Sequence, residues 1–288
     1  MAGTIAQLLI TGIANGFIYA LVAIEYTLIW NACGLLNFAH AKMIMLGGYL
    51  FAGTFIPLLS KAFIPAGLLA IAATAAFGVL IACVIFIPLR KYTRLVAIMA
   101  TVMLGIVLTQ AAVLLWGSAP LSSQEFLRGT VRMGSVTISL SNLTIIGVAL
   151  LVAVALKAFI AKSKPGQAMT CVAQSHMAAS LMGINVKRNM VLSVSISFAI
   201  CALIGVLCAP IYTVQQTMAD MIALKGFAAG VVGGFGSIDG AILGGLIVGL
   251  IENFGCLVVP SLYKDVIAFA VMILVMMVRP DGILGKKK

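Results

Sequence analysis

Residues 95–116 read LVAIMATVMLGIVLTQAAVLLW. No charged side chain interrupts them, and an α-helix rising 1.5 Å per residue carries them about 33 Å, just beyond the roughly 30 Å hydrocarbon core of a bilayer. Arg90, Lys91 and Arg94 stand immediately before the run. Basic clusters of this kind stay on the cytoplasmic side, so the run is a membrane-spanning helix that starts inside. Further apolar runs without repeated charges lie at roughly 5–29, 37–59, 64–88, 141–161, 190–212, 240–258 and 265–278.

Composition generalises the point. The chain is 63% hydrophobic and 9% charged, where a soluble domain carries about 25% charged residues. Its 288 residues leave room for roughly eight to ten crossings and little else. The fold class is therefore all-α: a polytopic integral membrane protein of roughly eight to ten transmembrane or broken helices, with one transmembrane domain over 1–288. The net charge of +11 does not point to nucleic acid, because the basic residues sit in short clusters between apolar runs. The N-terminus lacks a basic first region and a small-residue cleavage site, so the first run reads as a mature membrane helix. The six cysteines show no CxxC spacing and fall mostly inside apolar runs, which predicts neither disulfides nor metal.

The charge clusters set the topology. Besides 90–94, Lys162, Lys164, Lys187 and Arg188 flank a second loop, and Arg279 with Lys286 to Lys288 closes the chain. All three should be cytoplasmic, the C-terminus included. The segment 117–140, with Glu125, Arg128 and Arg132, should be external. If the chain leaves the cytoplasm near 190 and returns by 279, an even number of crossings lies between 213 and 264. The short glycine-rich stretch 222–239 must then enter the membrane as well, which makes 222–258 a broken hairpin turning near Gly236 to Gly240. Non-helical backbone at that depth must be buried in protein or line a wet cavity. A second interruption falls at Asn31 to His40, NACGLLNFAH. Paired discontinuities in a transporter point to the substrate path.

No GxxxxGK[ST], HExxH or nucleophile elbow occurs in the chain. The expectation is a non-enzyme that binds no cofactor of its own. The most informative polar segment is the cytoplasmic loop 162–189. There Met169, Val172, Ala173, Met177, Leu181 and Ile184 recur at three- and four-residue spacing, one apolar face of a helix of about 16 residues, too short to cross. Pro165 and Gly166 precede it and Gly183 can end it. Two readings stand: an amphipathic helix resting on membrane lipid, or a rigid element docking in a groove of a cytoplasmic partner.

Four stretches resemble one family. They are Ala23 to Thr27 with Asn37-Phe38-Ala39-His40, the segment Ala178 to Asn185, the run 233–245 (GGFGSIDGAILGG) and the closing 279–285 (RPDGILG). In this order and spacing they resemble branched-chain amino acid ABC permeases, the shorter of the two permease subunits. The resemblance implies an importer in the bacterial inner membrane with a second, different permease chain, two cytoplasmic ATPase subunits carrying ATP and Mg, and an external solute-binding protein. It makes the surface helix the coupling helix, with Gln174, His176, Leu181, Gly183 and Ile184 at or near the ATPase groove. Departures are Thr170 where the family commonly has a basic residue, Gln174-Ser175 where it has an acid or Gln followed by Asn or Asp, Glu25 in place of Gly, and Ala41 in place of Gly.

For the substrate path the candidates are Glu25, Asn37, His40, Ser237 and Asp239. An acid at membrane depth is by default functional, so Glu25 either faces a cavity or a partner such as Lys42 or His40, or lies near enough to the surface to stay wet. Asn37 and His40, three apart, would share a helix face and either hold the break open through backbone hydrogen bonds or touch substrate. Ser237 and Asp239 either cap a helix starting near Gly240 or line the path. Two rivals remain at this stage, an ion-coupled secondary transporter using Glu25 and Asp239, and a passive channel. Within the importer reading, urea and amides are alternative substrates.

Overall fold

The computed structural model describes residues 2–59, 62–122, 129–133, 136–257, 260 and 263–285. Glu125, Arg128 and Lys286 to Lys288 lie outside them. The helices are α1 (Ala2–Cys33), α2 (His40–Leu58), α3 (Phe63–Leu89), α4 (Arg94–Trp116), α5 (Leu140–Lys162), α6 (Lys164–Gln174), α7 (His176–Leu181), α8 (Val186–Cys208), α9 (Asp220–Gly233), α10 (Ile238–Gly255) and α11 (Lys264–Val278). One short antiparallel pair, β1 (Thr130–Met133) with β2 (Val136–Ser139), precedes α5, with Thr130 opposite Ser139. Among the described residues, seven helices (α1 to α5, α8 and α10) are long and apolar enough to cross a membrane. The chain divides into two compact units, residues 28–123 with 155–220, and residues 1–27 with 124–154 and 221–288.

In the first of these, α8 is the central helix and packs on α2 and α3. Small residues let the backbones touch: a Cβ at Gly205 would strike the backbone of Ile44 and Gly48, and one at Gly47 would strike Ala202. Without a hydrophobic drive between helices in lipid, such close packing is a main source of their association. Phe51, Phe86, Phe198 and Met190 fill the interior. Helices α2 and α3 each contain a wide turn with i to i+5 geometry, Leu50–Phe55 and Ala82–Phe86. Each leads into the same tetrapeptide, Phe-Ile-Pro-Leu, at 55–58 and 86–89. Pro57 and Pro88 offer no N–H and would crowd the carbonyl four residues back; the extra residue in the preceding turn lets the helix continue. At the end of α4, Trp116 Nε1 donates to Thr54 Oγ1 (3.0 Å) and its ring stacks on Tyr49 with centroids 5.5 Å apart.

The other unit is built on α1, α9, α10 and α11. Helices α1 and α10 cross through Gly16, Gly245 and Gly249: a Cβ at Gly249 would overlap Gly16, and one at Gly245 would overlap the Ala20 backbone. Helix α9 has 14 residues, about 21 Å, less than a full crossing. It ends at Gly233, and residues 234–237 turn the chain into α10, which lies close enough for Gly244 to meet Ala229 and Gly233. The closing RPDGILG stretch returns to this turn. Ile283 N–H donates to Val232 O (2.9 Å) and Leu284 N–H to Gly233 O (3.0 Å), so the tail satisfies carbonyls that the end of α9 leaves open. Gly234 (φ 104°) and Gly282 (φ 79°) face each other at this junction, both in the left-handed region and both without room for a side chain.

Candidate functional site: the interrupted helices and the surface arm

The arm expected on the cytoplasmic side differs from the single helix of the sequence reading. Ser175 is extended (φ −159°, ψ 116°) and splits the segment into α6 and α7, its hydroxyl accepting from Ala178 N–H (3.2 Å) to cap the second helix. The split rotates the two apolar sets apart. Met169 and Val172 are buried, whereas Met177, Leu181 and Met182 are 76%, 80% and 82% exposed. The six residues at helical spacing therefore do not form one face. Pro165 and Gly166 also lie within the first turn of α6, which Ser163 caps through Gly166 N–H (3.0 Å). Gly166 sits directly on the backbone of Phe159 and Ile160, so α6 leaves α5 at a fixed angle. Gln174 ends α6, His176 opens α7, Leu181 ends it, and Gly183 (φ 78°) turns the chain, with Ile184 following.

The structure adds a contact from outside the arm: Arg90 Nη2 lies 3.0 Å from His176 Nδ1. Guanidinium only donates, so Nδ1 accepts and the imidazole is neutral with its proton on Nε2. Burial first, and then the positive charge of Arg90, hold the His176 pKa below its ordinary value.

At the first interruption α1 ends at Cys33, Gly34 takes a positive φ of 65°, and α2 begins at His40. Asn37 precedes the helix rather than sharing a face with His40. Its Oδ1 accepts from Ala39 N–H (3.0 Å), and His40 Nδ1–H donates to Asn37 O (2.8 Å), so the two side chains brace the break through its backbone. Thr101 Oγ1 accepts from Phe38 N–H (3.3 Å) and ties the same segment to α4. Lys42 in the next turn pairs with Asp220 Oδ1 at 2.6 Å, so its partner is Asp220 rather than Glu25.

In the other unit Glu25 is fully buried in α1. The neighbouring Tyr26 packs edge-on against Phe227 (5.4 Å between centroids) and Phe235 (6.5 Å). Ser237 caps α10 by accepting from Gly240 N–H (3.1 Å), and the helix starts at Ile238, two residues earlier than the sequence reading. Asp239 stands in its first turn, where a negative charge complements the helix dipole.

Sequence reasoning missed a buried ionic cluster. Lys225 Nζ on α9 lies 2.9 Å from Glu252 Oε1 on α10 and 2.7 Å from Asp265 Oδ1 on α11, and Tyr19 OH on α1 donates to Glu252 Oε2 (2.9 Å). Lys225 and Glu252 were visible as charges in apolar runs, but a separation of 27 residues falls outside any helical periodicity, and only folding pairs them.

Comparison with known proteins agrees with this architecture. A family model described as branched-chain amino acid transport system / permease component matches residues 8–276. The high-affinity branched-chain amino acid transport system permease protein BraD of Pseudomonas aeruginosa is 36% identical, over 97% of this chain and 95% of its own. The protein of the same description, LivH, of Escherichia coli K12 is 35% identical with the same coverage. A probable branched-chain amino acid transport permease protein LivH of Methanocaldococcus jannaschii is 30% identical over 48% of this chain and 46% of its own. No solved structure matches.

Proposed function

The chain belongs to the branched-chain amino acid transport permease family, and from that premise we propose that it is the membrane permease subunit of an ATP-driven importer that passes branched-chain amino acids inward. A second, different permease chain completes the channel in the inner membrane. Two cytoplasmic ATPase subunits hold ATP and Mg and perform the hydrolysis, since this sequence has no phosphate-binding loop. An external solute-binding protein delivers the substrate, and the C-terminus faces the cytoplasm.

The observation that carries the reading on this chain is the arm α6–α7. Gly166 fixes α6 to the end of α5, Ser163 and Ser175 cap its two helices, and Arg90 braces it through His176. What this rigid arm presents is apolar: Met177, Leu181 and Met182 are all more than three-quarters exposed. A short helix with an apolar tip fits a groove on a soluble partner, and motion of that partner would reach α5 through the Gly166 contact.

Replacing Leu181 and Ile184 together by Asp tests this. The double variant should lose retention of the ATPase subunits on the purified membrane part, and unchanged retention with unchanged uptake would remove the arm from the mechanism. Affinity purification of the chain from its native membrane should bring two ATPase chains and a second permease. Repeated recovery of the chain alone in several detergents would favour an ion-coupled transporter instead.

A further inference from the structure

Just after the break between α1 and α2, Lys42 forms a charged pair that the backbone of the break does not need. Lys42 lies one turn inside α2, a helix of membrane-spanning length, and its Nζ donates to Asp220 Oδ1 (2.6 Å) and to Gln216 O (3.2 Å). The stem of Lys42 runs beside Gly105 of α4, where a Cβ would meet it in ordinary van der Waals contact at 3.5 Å. The two side chains are 20% and 38% exposed. This contrasts with the enclosed Lys225–Glu252 pair, at 9% and 3%. Five residues before Lys42, Asn37 is fully buried, and its Nδ2 has no hydrogen-bond partner among the described residues. A spare buried donor therefore stands in the interruption, five residues before the lysine of a half-open ion pair in the first turns of α2.

Charges within a membrane-spanning segment persist when they are neutralised, and are by default functional. A pair open on one side can exchange partners with a ligand that brings both signs of charge, because the site then stays neutral throughout. An α-amino acid zwitterion does this with its ammonium and carboxylate. A lone anion or cation would leave one protein charge unmatched at low dielectric, and a neutral amide or urea has no full charge with which to separate the pair.

We propose that Lys42 and Asp220 form a recognition point for the zwitterionic head of an α-amino acid on the transport path, Lys42 Nζ taking the carboxylate and Asp220 the ammonium. The proposal rests on the importer reading above and deepens it: the solute-binding protein selects the side chain, and this pair checks the head group. It favours amino acids over urea and amides as cargo.

The test uses the whole complex, with both permeases, both ATPases and the binding protein, in proteoliposomes, and reads labelled leucine imported per ATP hydrolysed. Asp220→Asn and Lys42→Met should each lower this ratio by roughly tenfold or more, the scale of one lost charged hydrogen bond. The swap Lys42→Asp with Asp220→Lys restores an ion pair but reverses its polarity. It should not recover the ratio, whereas a merely structural bridge would. A ratio unchanged in both single variants, or restored by the swap, overturns the recognition point while the importer reading stands. Absence of ATP-dependent leucine uptake by the wild-type complex overturns that reading, and the recognition point with it.

Discussion

Lys225→Met should be among the most destabilising single substitutions in the protein, and the geometry of its partners gives the size. Glu252 is 2% exposed, and without Lys225 its carboxylate would keep, among the described residues, the Tyr19 hydroxyl alone. Breaking a buried pair by removing one partner costs about 3–5 kcal/mol, because the other charge is left uncompensated. Glu252→Gln is the milder change, since Lys225 then retains Asp265, which is itself 42% exposed and keeps much of its hydration. The double variant removes both charges and should recover most of the loss. At roughly 2–4 °C per kcal/mol for a chain near this size, Lys225→Met should lower the melting temperature in detergent by about 6–20 °C, clearly more than Glu252→Gln. A double-mutant cycle followed by native tryptophan fluorescence measures this. Single effects that simply add, or a Lys225→Met shift under about 2 °C, would refute the idea that the cluster holds α9, α10 and α11 together.

Three further expectations follow from other contacts. The His176 pKa is lowered in the folded arm, so the Arg90 contact contributes fully above the ordinary histidine value near 6.5 and is lost as pH falls through the lowered value. Protection factors of the amides of residues 176–182, taken relative to the intrinsic exchange rate at each pH, should therefore fall on acidification, and Arg90→Ala should move the His176 titration, read by NMR, back toward its ordinary value; an unmoved titration would discount the contact. Gly249→Val would drive a branched side chain into Gly16 and should cost at least the roughly 1–3 kcal/mol of an overpacked core, visible as a lower melting temperature, while substitution at the open Gly147, where a Cβ meets nothing, should leave it unchanged. Single cysteines at Ser237 and Ala219, in a chain lacking the native six, should label from opposite sides of the membrane; labelling of both from outside only would overturn the hairpin topology.

Eight long apolar runs stand out in the sequence, because a helix in lipid must satisfy its own backbone and so advertises its length; among the described residues seven of them correspond to helices of spanning length, and the eighth, 265–278, lies in the 15-residue α11. The two interruptions are legible because Asn31, Asn37 and His40 put polar side chains into one apolar run, and because Ser237 and Asp239 stand among the dense glycines of 233–240 in the other. The serine at 175 carries no such mark within a polar loop, and spacing alone predicts one helix there because it cannot reveal an extended residue between two helical turns. Partnerships across helices lay further out of reach. Lys42 finds Asp220, Arg90 finds His176, and Lys225 finds both Glu252 and Asp265 over separations that no local period encodes. The closing RPDGILG and the glycine turn at 234–237 were two separate motifs in the sequence, and the fold makes them one structure, the tail capping the open carbonyls of α9. Local backbone and solvent demands are written along the chain; which charges meet, and which helix end a distant tail caps, depends on contacts that exist only once the helices have packed.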